Sequence, residues 1–365
     1  MRRSFLTALS GAALLMLGTN TSAQLTDLQS GRNFPTGSAA FGTGRSENID
    51  LGDVDNDGDY DVIVGNGGDG TAQDNRIYIN NGGIQGGTPG TFSDQTGARF
   101  AGVPTDTTRD IEFVDSDGDC DLDIYVSNRG NTVNGGEVSR FYRNQGGAQN
   151  GSVGFFTENT NAFWGSLISV PGSAQVFGGN VGPWRDFSCD CDFGDLNLDG
   201  DIDLFHSSYG PNINGTADSR LFLNDGTGVF DELWPWINAG GDIRLHTLDI
   251  DLVDLDGDFD LDVFASSRDS QARVYRNNLN VATMSWSGSP FNDITQTALL
   301  NQGAVLTGSN NYEAEPGDVD GDGDFDIWMK NYNGNLDRIL RNNGNLTFTQ
   351  MNAWIKGDPN QDENE

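Results

Sequence analysis

The sequence predicts an all-β chain built from five copies of one four-stranded antiparallel unit, and three observations carry that prediction. A nine-residue acidic pattern recurs at Asp53 (DVDNDGDYD), Asp115 (DSDGDCDLD), Asp195 (DLNLDGDID), Asp254 (DLDGDFDLD) and Asp318 (DVDGDGDFD), each copy running straight into an apolar segment. Strand-like alternation surrounds every copy, while helix-length amphipathic windows are scarce. Fifty glycines supply the turns that such short strands require.

Within each unit the elements follow in a fixed order. A first strand precedes the acidic loop, with one apolar residue between acidic or amide neighbours: Asn48-Ile49-Asp50, Asp110-Ile111-Glu112, Asp190-Cys191-Asp192, Asp249-Ile250-Asp251 and Glu313-Ala314-Glu315. A second strand follows the loop, at 62–65, 124–127, 204–207, 263–266 and 327–330; its apolar residues are mostly consecutive, the pattern of a strand buried on both faces. The third strand opens on an arginine (Arg76, Arg140, Arg220, Arg273, Arg338) and carries an asparagine four positions on (Asn80, Asn144, Asn224, Asn277, Asn342). After a turn, one phenylalanine opens the fourth strand, at Phe92, Phe156, Phe230, Phe291 and Phe348.

The loop starts are spaced by 62, 80, 59 and 64 residues, which places the units near 47–97, 107–160, 189–233, 248–295 and 312–352. A four-stranded sheet cannot bury both faces alone, so repeated sheets stack around an axis, and the expected architecture over 47–355 is a β-propeller with the acidic loop between the first and second strand of each blade. Residues 24–46 are too short for a further unit and offer a closing strand; 356–365 read as a solvated acidic tail. The long spacing marks an insertion of about 20 residues between Asn159 and Arg185, read first as a surface excursion packing its own Trp164 and Trp184. It is also where specificity would be grafted onto a rigid scaffold.

The start of the chain has a basic Arg2-Arg3, an apolar Phe5 to Leu17 and a small-residue site at Thr21-Ser22-Ala23, the layout of an export signal over 1–23. General secretion is the favoured route, with the paired arginines leaving a twin-arginine route as second choice; the expected location is extracellular or periplasmic. The apolar run is shorter than the roughly 20 residues of a membrane span. Signal removal takes away two positive charges and moves the formal balance from −34 to −36. That excludes nucleic acid and anionic membrane surfaces as electrostatic partners. The five loops hold 24 of the 54 acidic residues, so the charge calls for bound cations.

Alternating oxygen donors in a tight turn suit a hard cation that takes six to eight oxygens in irregular geometry, which favours calcium over magnesium, at about five ions per chain. The candidate ligands, taken as positions 1, 3, 5, 7 and 9 of each loop, are Asp53, Asp55, Asp57, Asp59 and Asp61; Asp115, Asp117, Asp119, Asp121 and Asp123; Asp195, Asn197, Asp199, Asp201 and Asp203; Asp254, Asp256, Asp258, Asp260 and Asp262; and Asp318, Asp320, Asp322, Asp324 and Asp326. Position 7 is expected to contribute its carbonyl, with the side chain toward solvent or supporting the other ligands. Glycine at position 4 or 6 gives the backbone the angles it needs.

The D-x-D-x-D-G-x-x-D loop before an apolar strand, with the later Arg-aromatic and Phe strands, resembles the FG-GAP/VCBS repeats of the integrin α-subunit propeller and of secreted bacterial proteins. The resemblance covers about 47–355. It implies one calcium per loop on one face of a propeller, held by Asp53, Asp55, Asp57, Asp61 and their equivalents. Three features depart from the pattern: Asn197 replaces an aspartate, Cys120 and Phe259 take the position-6 glycine, and five units are found where such propellers commonly have seven.

Two other sets of residues are singled out. The first-strand acidic pairs are read as partners of the five arginines, or as the lining of a water-filled channel. His206 and His246, with Tyr209, could meet across one blade interface, but two lone histidines are more often packing residues. Cys120, Cys189 and Cys191 are too few for a disulfide scaffold, and a Cys189–Cys191 bridge would be strained. The expectation is a binding or adhesion module for an extracellular protein or a carbohydrate, with Trp164, Trp184, Trp234 and Trp236 as stacking surfaces for sugar. The alternative is a calcium-dependent lyase or hydrolase acting on polysaccharide.

Overall fold

The computed structural model describes residues 45–68, 71–100, 102, 105–130, 137–165, 185–208, 219–233, 235–237, 247–268, 271–299, 311–331 and 337–351. The export signal, His246, Tyr209, Trp184, Trp234, most of the insertion and the acidic tail lie outside these residues. The chain divides into two compact units. One comprises Met1–Asp115, Asp119–Val126 and Arg140–Asn159; the other comprises Ser116–Gly118, Ser127–Ser139 and Thr160–Glu365.

Among the described residues there are five four-stranded antiparallel sheets, one per repeat, each meandering from first to fourth strand. First strands span Ser46–Gly52, Thr108–Val114, Ser188–Gly194, Thr247–Val253 and Asn311–Gly317. Second strands span Asp61–Asn66, Asp123–Asn128, Asp203–Ser208, Asp262–Ser267 and Asp326–Asn331, and every residue of the middle three is buried. Third strands run from the repeated arginine to the repeated asparagine, and fourth strands from the repeated phenylalanine for three residues. Two short ribbons, Gln73–Asp74 with Thr105–Asp106 and Glu137–Val138 with Arg185–Asp186, carry no alternation long enough to read in sequence. No described helix is long and apolar enough to cross a membrane.

Inside each unit, consecutive repeats are joined through a shared apolar core. Val54, Ile63 and Ile77 of the first repeat pack with Ile111, Ile124 and Phe156 of the second. Leu196, Phe205 and Leu221 of the third pack with Ile250, Val263 and Phe291 of the fourth; Leu255, Phe264 and Val274 of the fourth pack with Ala314, Ile327 and Phe348 of the fifth. The same strand positions recur in each joint because each sheet turns one face to the repeat before it and the other to the repeat after it.

The phenylalanine that opens a fourth strand sits in that joint. Phe100 stacks on Phe156 with ring centroids 5.3 Å apart, and Phe163 stacks on Phe230 at 4.3 Å. Trp164 lies beside them, 4.8 Å from the Phe222 ring and only 6% exposed. Trp236 is 1% exposed and donates its Nε1–H to the Ser219 carbonyl. Both tryptophans are therefore core residues with no face for a sugar, contrary to the expectation from sequence. They recur near a Gly/Pro-rich surface segment in sequence, but tertiary packing draws them into the joints.

The arginines also differ from expectation. Four of the five pair with the acid of the fourth strand rather than with the first-strand acids: Arg76 with Asp94 at 2.7 Å, Arg140 with Glu158 at 2.9 Å, Arg220 with Glu232 at 3.2 Å and Arg273 with Asp293 at 3.6 Å. Third and fourth strands are hydrogen-bonded neighbours, whereas the second strand separates the third from the first. The first-strand acids accept backbone N–H groups from the next repeat instead: Asp50 from Phe113, Asp190 from Ile250, Asp192 from Leu252 and Asp249 from Ala314, at 2.7 to 2.8 Å. No disulfide joins Cys120, Cys189 or Cys191.

Candidate metal centre

Each acidic loop is folded by its own first carboxylate. Asp53 accepts the N–H groups of Asp57 and Gly58, both at 2.9 Å. Asp195 does the same for Asp199 and Gly200, Asp254 for Gly257, Asp258 and Phe259, and Asp318 for Gly321, Asp322 and Gly323. Of the second loop, Asp115, Asp119, Asp121 and Asp123 belong to the first unit, where Asp115 accepts from Asp119 and Cys120; Asp117 belongs to the other unit. The turn needs left-handed backbone at positions 4 and 6. Asn56, Leu198, Cys120 and Phe259 adopt it without being glycine, at φ of 58°, 59°, 70° and 76°.

The last aspartate is a staple. Asp61, Asp123, Asp203, Asp262 and Asp326 are fully buried, and each Oδ1 accepts the backbone N–H of the third-strand asparagine at 2.8 to 2.9 Å. The Oδ2 of Asp61, Asp203, Asp262 and Asp326 accepts the N–H of the loop's second residue. These bonds explain a buried carboxylate at the head of an apolar strand.

The middle carboxylates converge. Ligand oxygens of Asp53, Asp55 and Asp57 lie within 4.8 Å of one another, as do those of Asp254, Asp256 and Asp262, and of Asp318, Asp320 and Asp326. Asp55 is 8% exposed; its Oδ2 accepts from Arg99 at 2.8 Å and Gln85 at 2.7 Å, but its Oδ1 is buried with no donor. Asp256 Oδ1 and both oxygens of Asp59 and of Asp260 are also buried with no hydrogen-bond donor. Position 7 therefore turns its carboxylate inward, not to solvent.

Over it lies the turn that follows the third strand. A Cβ added at Gly82 would strike Asp59 Oδ2, one at Gly83 would strike Asp57, and one at Gly226 would strike Asp201. Ile84 N–H reaches Asp57 Oδ2 at 2.9 Å. In the third loop, Asn197 bonds Asp199 through both ends of its amide, at 2.8 and 2.9 Å.

Burial makes the loop carboxylates hard to ionise. Burial pushes Asp61 up to about 7, against the opposing N–H groups of Asn80 and Val54. Asp203 and Asp262 are pushed up to about 8 by the same cause, and Asp260 to about 8 by burial and then by Asp258. Burial also raises Asp55, although Arg99 works against it. A divalent cation would supply the missing partner to the buried oxygens of Asp55, Asp59, Asp256 and Asp260, and an all-oxygen donor set suits calcium.

The structure adds a group of residues whose role the sequence pattern does not mark. The repeated third-strand asparagine clamps two loops at once. Asn144 Nδ2 donates to the Leu122 carbonyl of its own repeat at 3.1 Å and to the Val54 carbonyl of the preceding loop at 3.0 Å. Asn224 does so with Ile202 and Ser116, Asn277 with Leu261 and Leu196, and Asn342 with Phe325 and Leu255. The acceptor in the preceding repeat is always the residue after the first loop aspartate. The asparagine's fixed distance from the arginine was the only sequence signal for it.

His206 is fully buried in its sheet, in register with Cys191 and Arg220. Of the described tryptophans, Trp328 alone is exposed, at 43%.

Residues 53–126 match the model of the FG-GAP-like repeat. This segment is similar to FG-GAP-like repeats. It begins on the first loop aspartate and ends in the second strand of the next unit, so the FG-GAP-like segment takes in two acidic loops and the joint between them. No curated protein matches the chain in sequence. Among solved structures, an Agrocybe aegerita lectin, described for its specific recognition of non-reducing terminal N-acetylglucosamine, is 20% identical with a TM-score of 0.48, over 86% of this chain and 67% of that one. The exotype rhamnogalacturonan lyase YesX is 14% identical with a TM-score of 0.42, over 84% of this chain and 48% of that one.

Proposed function

We propose that the five acidic loops hold calcium and that the chain is an exported, calcium-stiffened β-propeller which binds an extracellular protein or carbohydrate. One observation carries the metal reading: carboxylate oxygens of Asp55, Asp59, Asp256 and Asp260 are buried with no donor, in loops where every other geometric element is in place. Desolvated anions without partners cost several kcal/mol each, and a hard cation removes that cost. Because the asparagine clamp grips the backbone of the preceding loop, calcium in one loop would rigidify the joint to the next repeat. Calcium is then a stabiliser of the binding surface and not a reactant.

The test is direct. Mature protein dialysed against trace calcium should retain about five ions per chain, and a chelator should lower its melting temperature; identical melts with and without chelator refute the metal reading. For the ligand, a glycan array and an extracellular-protein pull-down in calcium and then in chelator should show binding that chelator abolishes. Trp328, exposed beside Glu315 on the fifth sheet, offers the ring face that a sugar would stack on.

A further inference from the structure

In the second unit the first strands form a ladder in which each acidic side chain accepts an N–H from the following repeat, and one rung is missing. Asp190 and Asp192 accept from Ile250 and Leu252, and Asp249 accepts from Ala314. By the same spacing Asp251 would accept from residue 316, which is proline and has no N–H. Asp251 is 5% exposed, and its Oδ2 is buried with no hydrogen-bond donor. No hydroxyl takes over: Ser266, the register partner of Asp249, keeps its own Oγ buried and unbonded.

The groups acting on Asp251 are all acidic. They are Asp249 on its own strand, Asp190 and Asp192 on the first strand of the third repeat, and Glu315 on that of the fifth. Glu313, beside Glu315, is paired with Lys330 at 3.3 Å, so that cation is already engaged. A buried carboxylate whose Oδ2 has no donor, and whose strongest charged neighbours are acids, cannot stay ionised cheaply; it takes up a proton. Asp249 and Asp251 lie on one strand and differ by the Ala314 N–H that Asp249 accepts, which favours charge on Asp249 and the proton on Asp251.

We propose that Asp251 is a carboxylic acid at neutral pH and that its deprotonation loosens the joint between the fourth and fifth repeats, making this joint pH-sensitive through Pro316. Burial, followed by the charge of Asp249, raises Asp251 well above the usual carboxylate range, and burial raises Glu315 to about 7. A folded-state value above the unfolded one stabilises fully below the unfolded pKa of roughly 4, and that stability is lost as pH rises through the raised value. This proposal does not depend on the loops binding calcium.

The experiment uses the full mature chain in saturating calcium, so that loop carboxylates do not titrate, with melts from about pH 5 to pH 9. Asp251→Asn, which mimics the protonated acid, should match wild type at the acid end and melt higher than wild type at the alkaline end. Pro316→Ala, which restores the N–H, should also flatten the alkaline fall while keeping the acid. Infrared difference spectra at neutral pH should show a carboxylic-acid carbonyl band in wild type that is lost in Asp251→Asn; this readout stands even where Pro316→Ala fails to fold. Parallel pH curves for wild type and Asp251→Asn, an unchanged band, or one fewer bound calcium in Asp251→Asn would each overturn the proposal, the last because it would mean an ionised Asp251 under a cation.

Discussion

Replacing Asn144 by alanine, with Asn80→Ala as its internal control, isolates the bond that ties one repeat to the acidic loop before it. The two asparagines occupy the same place in neighbouring repeats of one unit. Asn80 donates to the Tyr60 carbonyl at 3.2 Å and accepts from Gly82 and Gly90. Asn144 donates to the equivalent Leu122 carbonyl and accepts from Gly146 and Gly154, and it adds one bond, to Val54. At about 1 kcal/mol net per buried hydrogen bond, Asn80→Ala should cost about 3 kcal/mol and Asn144→Ala about 4. The difference of about 1 kcal/mol is the clamp itself, and it grows if the Val54 carbonyl is left buried without a donor. Urea denaturation in calcium, read by tryptophan fluorescence, gives both numbers. Calcium titration adds a second reading, since Val54 follows Asp53: Asn144→Ala should weaken one calcium site, and Asn80→Ala should disturb the loops less. Equal losses in the two variants, or a larger loss in Asn80→Ala, would refute the clamp.

In chelated protein, Asp61, Asp203 and Asp262 keep raised values of about 7 to 8, so stability should be high at acid pH and fall as pH rises through that range; calcium should remove the fall, as melts with and without chelator will show. Arg220→Met should lower stability by about 3 kcal/mol, because it removes the cation from a buried ion pair with Glu232, and an unchanged denaturation midpoint would count against the ion pair. Phe259→Gly should stabilise the chain by up to about 1 kcal/mol: the ring is 81% exposed, and glycine relieves a left-handed backbone, so a clear loss in thermal melts would show the ring has a contact of its own.

Sequence alone determined the four sheet strands of each repeat and where the acidic loops lie. Period-two alternation, the buried apolar run of the second strand and the five-fold recurrence are local signals, repeated often enough to cancel chance. That the carboxylates of positions 1 and 3 meet within one loop was legible for the same reason, since a nine-residue turn brings its own side chains together. Only the tertiary structure decided what lies between repeats. It sent Trp164 and Trp236 into joints, gave four arginines to the fourth-strand acids, turned Asp59 inward under a distant glycine turn, buried both carboxylate oxygens of Asp260, and made Asn144, Asn224, Asn277 and Asn342 clamps on the preceding loop. The clamps and the loops they hold lie 81 to 108 residues apart, and no periodicity encodes which face of one sheet meets which face of the next. Pro316 shows the limit most plainly: in sequence it is one odd residue in a strand, and only the ladder reveals that its missing N–H belongs to Asp251.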